Sequence, residues 1–176
     1  GKKYVEPQKA LKYLTQSIQL DPDEVAAYNN RGAAYDELKQ YNQAILDYSQ
    51  AIQLNPLFVE AYANRGHAYI ELQQYKQAIV DYTKTLKLDP ADAKFFNNRG
   101  FAYAKLQLYQ QALDDYNQAV KLDATYALAY YNRGVARAGQ QQHQYAISDY
   151  TQAIQLNPTY AAAYSNRGVS YYYHGK

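Results

Sequence analysis

From residue 25 to residue 160 the pattern of apolar and polar positions repeats every 34 residues, and each copy holds two stretches of helical periodicity separated by a polar turn. Ala10, Leu11, Leu14, Ile18 and Leu20 reproduce the apolar spacing of the second stretch, so the chain is expected to open on half a unit within residues 1–24. Full units 25–58, 59–92, 93–126 and 127–160 follow, each a pair of antiparallel helices, and residues 161–176 supply one more first helix. The predicted architecture is all-α, with about ten helices in a single array over 1–176. Self-similarity at such a period marks a solenoid, in which each unit buries its apolar face only against its neighbours.

Proline sets the boundaries at Asp21-Pro22, Asn55-Pro56, Asp89-Pro90 and Asn157-Pro158. It pushes the preceding residue out of the helical region and is suited to begin the next helix, with the Asp or Asn before it as a cap. The equivalent pair at the remaining boundary is Asp123-Ala124, which predicts the softest turn, with Thr125 as a substitute cap. Gly139 and the run Gln140-Gln141-Gln142 weaken a helix end, so local stability is expected to be lowest in 127–160.

An Asn-Arg-Gly triplet recurs five times in register: Asn30-Arg31-Gly32, Asn64-Arg65-Gly66, Asn98-Arg99-Gly100, Asn132-Arg133-Gly134 and Asn166-Arg167-Gly168. An aromatic residue stands ahead of each (Tyr28, Tyr62, Phe96, Tyr130, Tyr164), and alanines Ala44, Ala78, Ala112 and Ala146 follow the first four. Glycine inside a helix costs about 1 kcal/mol relative to alanine, so something must offset it. Close approach of two helices does so, and it predicts Gly32 opposite Ala44 and likewise in each later unit.

These residues resemble the tetratricopeptide repeat family, whose pattern of aromatic, Gly, Tyr, Ala, aromatic, Ala and Pro is matched in one unit by Tyr28, Gly32, Tyr35, Ala44, Tyr48, Ala51 and Pro56. The resemblance covers essentially the whole chain and implies a right-handed α-solenoid superhelix. Unit 127–160 departs from the pattern, with Arg137 and His143 in place of Tyr and Gln140 in place of Leu. The family is a scaffold, and its fold alone names no function.

Composition narrows the classes. The formal net charge of +2 comes from interspersed charges, which offers no continuous basic face for nucleic acid. No apolar run approaches the roughly 20 residues of a membrane span. There is no Cys, hence no disulfide, thiol nucleophile or thiolate metal site, and the compartment stays open with the cytoplasm favoured. There is no Met even at the first position, so the chain is expected to be part of a longer array. The recurring tyrosines, Tyr35, Tyr69 and Tyr103 together with Tyr48, Tyr82, Tyr116 and Tyr150, are read as core packing with hydroxyls at the rim.

Catalysis needs convergent groups, and none is in register. His67, His143 and His174 fall at different motif positions; His67 and Glu71 share a helix face but lack a third metal ligand. No phosphate loop, nucleophile elbow or dinucleotide fingerprint occurs, so neither cofactor nor catalytic residue is expected. Arg31, Arg65, Arg99, Arg133 and Arg167 form a column where the family commonly has Leu, matched by Asp47, Asp81, Asp115 and Asp149. Each Asp shares a flank with the small residue four positions on, which in the family packs on the following repeat. Asp47 is therefore expected to meet Arg65, Asp81 to meet Arg99, Asp115 to meet Arg133 and Asp149 to meet Arg167. A phosphate-binding arginine stripe is the alternative.

The resemblance also places the first helices along a concave groove, with Asn30, Asn64, Asn98, Asn132 and Asn166 as a ladder able to hydrogen-bond an extended peptide backbone. Solvated or helix-bridging asparagines are the alternative at these positions. Selectivity falls to neighbouring groove residues, among them His67, Lys94, Phe101, Lys105, Tyr131 and Val135, whose character runs from acidic through basic to apolar. The dicarboxylate clamp of relatives that bind chaperone tails is matched only by a ladder Asn and Lys94, which argues against that specificity. The expectation is a non-catalytic scaffold that binds an extended peptide or partner helix. A self-assembling array and an accessory segment of a larger enzyme are the alternatives. Uncovered Ala10, Leu11 and Leu14 at one end and Tyr164, Gly168 and Tyr171 at the other would permit head-to-tail association of copies.

Overall fold

The 34-residue period is realised as helices α1 Pro7–Leu20, α2 Val25–Glu37, α3 Tyr41–Leu54, α4 Val59–Glu71, α5 Tyr75–Leu88, α6 Ala93–Lys105, α7 Tyr109–Leu122, α8 Ala127–Gly139, α9 His143–Leu156 and α10 Ala161–His174. The structure is a computed structural model that describes residues 7–174, and among these there is no strand. The chain divides into two compact units, Gly1–Asp89 and Pro90–Lys176, the first holding α1 to α5 and the second α6 to α10.

Within each unit, successive helices pack as antiparallel neighbours, and first helices also touch first helices: α2 with α4, α6 with α8, α8 with α10. The second helices α3 and α5, or α7 and α9, make no such contact. First helices therefore lie on the inner, more tightly curved side of each unit. Small residues permit this, with Ala61, Ala68, Ala102, Ala129, Ala136 and Ala163 fully buried.

The glycines meet a different neighbour from the one the spacing suggests. A Cβ at Gly32 would lie 2.6 Å from the ring of Tyr48, one at Gly66 3.0 Å from Tyr82, and one at Gly134 2.7 Å from Tyr150. The glycine thus opens a slot for the Tyr ring of the following helix, and these rings are the largest buried side chains. Ala44 packs with Tyr48 and Ala112 with Tyr116 beside the slot, and at Gly100 the backbone of Ala112 also closes in, at 3.2 Å. At Gly168 nothing lies within 4 Å.

The Arg–Asp columns also pair otherwise than the wheel predicts. Arg31 grips Asp47, Arg65 Asp81, Arg99 Asp115 and Arg133 Asp149, each within its own hairpin and through Nε and Nη2 at 2.7–3.1 Å. The wheel ignores the length of the Arg side chain, which reaches across its own hairpin to the Asp of the second helix. The link between repeats is made by the remaining nitrogen: Nη1 of Arg31, Arg65, Arg133 and Arg167 donates to Thr15, Ser49, Asn117 and Thr151 of the preceding second helix. Each guanidinium also lies 5.2–5.9 Å from the aromatic ring ahead of its triplet. With their donors taken up this way, the arginines of the four paired sites do not present a free phosphate-binding stripe.

The turns differ from expectation too. At the four boundary prolines the helix starts three residues further on, and Asp21, Asn55, Asp123 and Asn157 accept from the backbone N–H two residues on instead of capping a helix. Thr125 is not a cap: its hydroxyl donates to Asp123, which holds that carboxyl below its ordinary range. Among the described residues a side-chain cap appears at α6, where Asp92 accepts from the N–H of Lys94. Every turn inside a hairpin places a non-glycine residue at positive φ: Lys39 (58°), Gln73 (58°), Gln107 (60°) and Gln141 (61°).

Candidate binding pocket on the first-helix face

A cavity of about 360 Å³ opens on the inner face of the second unit. Phe101, Ala104 and Lys105 line it from α6, Tyr109 and Tyr116 from α7, and Tyr131, Asn132, Val135 and Gly139 from α8. Its position follows from the repeat: Phe101 and Val135 occupy the same register on adjacent first helices, and the Tyr109 ring swings across the hairpin turn towards α8. Gly139 makes room for it, since a Cβ there would stand 2.8 Å from the Tyr109 ring. The glycine that sequence reasoning took as a helix weakener is therefore a wall of the pocket.

The lining is aromatic with few polar groups. Tyr131 is fixed from behind by Tyr160 and Tyr150, whose ring centroids lie 4.8 and 5.9 Å away, and its hydroxyl accepts from Asn166 at 3.1 Å. Asn132 donates to Asn97 at 2.9 Å, so one of its amide hydrogens braces α8 against α6. Burial pushes the Tyr116 phenol well above its ordinary value, which keeps that wall uncharged. The ammonium of Lys105 stands 5.0 Å over the Phe101 ring at the exposed mouth. Neither α6, α8 nor α10 carries an Asp or Glu.

The inner face of the first unit has the opposite sign. Asp36 and Glu37 come from α2, Glu60 and Glu71 from α4. His67 bridges them: Nδ1 lies 3.2 Å from Asp36, Nε2 lies 3.8 Å from Glu71, and the Tyr41 hydroxyl donates to Glu71 at 3.2 Å. The hydrogen bond to Asp36 raises the His67 pKa above its ordinary value. No group of three or more His, Asp and Glu fit to hold a metal ion occurs among the described residues.

Of the residues singled out from the sequence, Phe101, Tyr131 and Asn132 come together in this pocket, and Asn166 braces it. His67 belongs to the carboxylate cluster of the first unit, and Lys94 lies exposed in the first turn of α6. Two ladder asparagines make helix-bridging bonds, Asn64 donating to Asn29 at 3.0 Å as Asn132 does to Asn97, whereas Asn98 accepts from its own α6 neighbour Asn97 at 3.2 Å. Asn30 is exposed. Sequence reasoning missed Tyr109, Tyr116 and Gly139 as pocket residues. The available signal was the register shared by Tyr41, Tyr75 and Tyr109, each thirty residues ahead of the end of the next first helix, where position 139 alone is glycine.

Helix pairs of constant period packed only on their neighbours define an α-solenoid scaffold. The tetratricopeptide repeat family model matches residues 25–58, 93–126 and 127–160, and further models described as TPR repeat and tetratricopeptide repeat match 66–107 and 48–80. The chain belongs to the tetratricopeptide repeat family. Among solved structures it is similar to MamA protein (TM-score 0.81, 26% identity, 86% of this chain and 82% of that one). It is likewise similar to the first TPR of Spaghetti (RPAP3), solved bound to the HSP90 peptide SRMEEVD (TM-score 0.66, 30% identity, 67% of this chain and 94% of that one). The second TPR domain of human RPAP3, solved in complex with the HSP70 peptide SGPTIEEVD, aligns with TM-score 0.61 at 31% identity over 62% of this chain and 92% of that one. No curated protein matches the chain. No helix among the described residues is long and apolar enough to cross a membrane.

Proposed function

We propose that this chain is a non-catalytic protein-interaction scaffold that holds an extended peptide or partner helix against its first helices. The observation that carries the reading is the aromatic pocket on the inner face, where Phe101, Tyr131 and Asn132 converge from adjacent repeats. Pockets of a few hundred Å3 with apolar walls and few polar groups are where ligands are buried. Similar domains solved with bound peptides support the same use. Asn64 and Asn132, each braced through one amide hydrogen, keep a carbonyl and a second amide hydrogen, which suit a peptide backbone.

The test is an array of extended peptides probed with the full chain, followed by the Asn64→Ala, Asn98→Ala, Asn132→Ala triple variant. Binding that weakens broadly across sequences, with the helical circular-dichroism signal retained, supports the reading. Binding to no peptide, or binding that survives the triple change, overturns the ladder's role.

A second reading is head-to-tail association of copies. It is favoured by Gly168, which stands in the register of the buried glycines yet has nothing within 4 Å, beside exposed Tyr164 and Tyr171. By register the slot would take Leu14 of another copy. Sedimentation at several concentrations separates the two: a concentration-independent monomer excludes self-assembly.

A further inference from the structure

Building on the proposed peptide-binding role, we infer that the pocket of the second unit selects an aromatic side chain flanked by carboxylates. Shape and charge both point there. The walls Phe101, Tyr109 and Tyr131 offer ring faces and edges to a planar apolar group, and Val135 closes one side. Gly139 leaves Tyr109 free to form the floor, so the space depends on the absence of a single Cβ.

Aromatic walls alone would equally suit a cationic side chain. The charges around this pocket exclude that occupant. Lys105 stands at the mouth, 5.0 Å over Phe101, and no carboxylate is carried by α6, α8 or α10 to offset it. The nearby acidic residue Asp115 on α7 is already gripped by Arg99, and Asp149 on α9 is gripped by both Arg133 and Arg137. Lys94 adds a further exposed cation on α6. A neutral ring therefore gains the pocket, and carboxylates before or after it gain the Lys105 ammonium at its mouth.

The experiment is calorimetric titration of the full chain with three capped synthetic peptides of one length. One carries Glu-Asp-Phe-Glu-Asp at its centre, the second Ala in place of Phe, and the third Lys in place of every acid. The first is expected to bind about tenfold or more tightly than either control, since burial of one aromatic side chain is worth at least that factor. Val135→Trp fills the cavity from an exposed position and should remove the Phe-over-Ala preference while leaving the helical signal unchanged. Lys105→Glu should reduce or invert the preference for acidic over basic flanks.

Equal affinity for the Phe and Ala peptides, or an unchanged profile in both variants, overturns the inference while peptide binding itself stands. Failure of all three peptides, with other extended peptides still captured by the chain, overturns it in the same way. Failure of every extended peptide overturns the peptide-binding role as well.

Discussion

Arg65 and Asp81 are joined by two parallel hydrogen bonds of 2.8 Å inside one hairpin, while the third nitrogen of the same guanidinium reaches Ser49 of the preceding repeat at 2.9 Å. The carboxylate side chain is almost wholly buried, at 3% exposure against 18% for the arginine. Removing the cation alone strands a buried charge, which typically costs about 3–5 kcal/mol. Arg65→Leu is therefore expected to destabilise the first unit by about 3 kcal/mol in urea unfolding. The double change with Asp81→Leu should recover most of the loss, because an apolar pair of similar volume is often neutral there. Arg167 gives the control: it bonds Thr151 and has no Asp partner among the described residues, so Arg167→Leu should cost under about 1 kcal/mol. Strict additivity in the double variant would contradict this account.

The glycines supply a second contrast. Gly66 faces the Tyr82 ring at 3.0 Å from a would-be Cβ, so Gly66→Leu is expected to force α4 from α5 and cost about 1–3 kcal/mol or more. Repeats couple only to neighbours, so the thermal melt should split as the damaged hairpin unfolds first. Gly168→Ala meets open space and should stabilise α10 by up to about 1 kcal/mol, the helix propensity difference. A melt in which both variants behave alike would refute the slot as the reason for glycine.

Much of this fold was legible because the period is written in the chain itself. Register alone places the final helix within residues 161–176, and it runs Ala161–His174. The errors came where side-chain reach decides. A wheel ranks faces, but it does not show that an arginine extends back over its own hairpin, nor that a Tyr ring sixteen residues on fills the space beside Gly32, Gly66, Gly100 and Gly134. The pocket was half legible for the same reason. Phe101, Lys105, Tyr131 and Val135 lie on one predicted face, whereas Tyr109 and Tyr116 arrive from the other helix, and the regular recurrence of Tyr116 reads as core packing.

The hairpin turns carry a correctable strain. Gln73 sits at φ 58° with the N–H of Gln74 bonded to the carbonyl of Tyr69 and its own N–H to Ile70, an αL ending of the kind usually made with glycine. Its side chain is exposed, so nothing is lost by removing it. Gln73→Gly is expected to stabilise the first unit by up to about 1 kcal/mol, the left-handed penalty less the extra entropy of glycine in the unfolded chain. The same change at Gln77, an exposed helical residue of α5, should destabilise by a comparable amount. Urea midpoints that move in the same direction for both would show that the αL geometry carries no such cost.

His67 makes the stability of the first unit depend on pH. It faces Asp36 of α2 at 3.2 Å and Glu71 of its own helix at 3.8 Å, and Glu71 is held in turn by the Tyr41 hydroxyl. The hydrogen bond to Asp36 raises its pKa above the ordinary 6.5, against an opposing effect of burial. A folded pKa above the unfolded one means that folding favours the protonated ring. The stabilisation is then fully present below about 6.5 and is lost as pH rises through the higher folded value. Unfolding midpoints for the first unit should therefore fall between pH 6 and pH 8, by a small margin because the ring is half exposed and screened. His67→Asn should flatten that slope while leaving the midpoint at pH 8 nearly unchanged, since the neutral ring contributes little there. Raised ionic strength should shrink the slope in the parent chain, as expected of a pairing between partly exposed charges. A slope that persists in His67→Asn would place the pH dependence on another group.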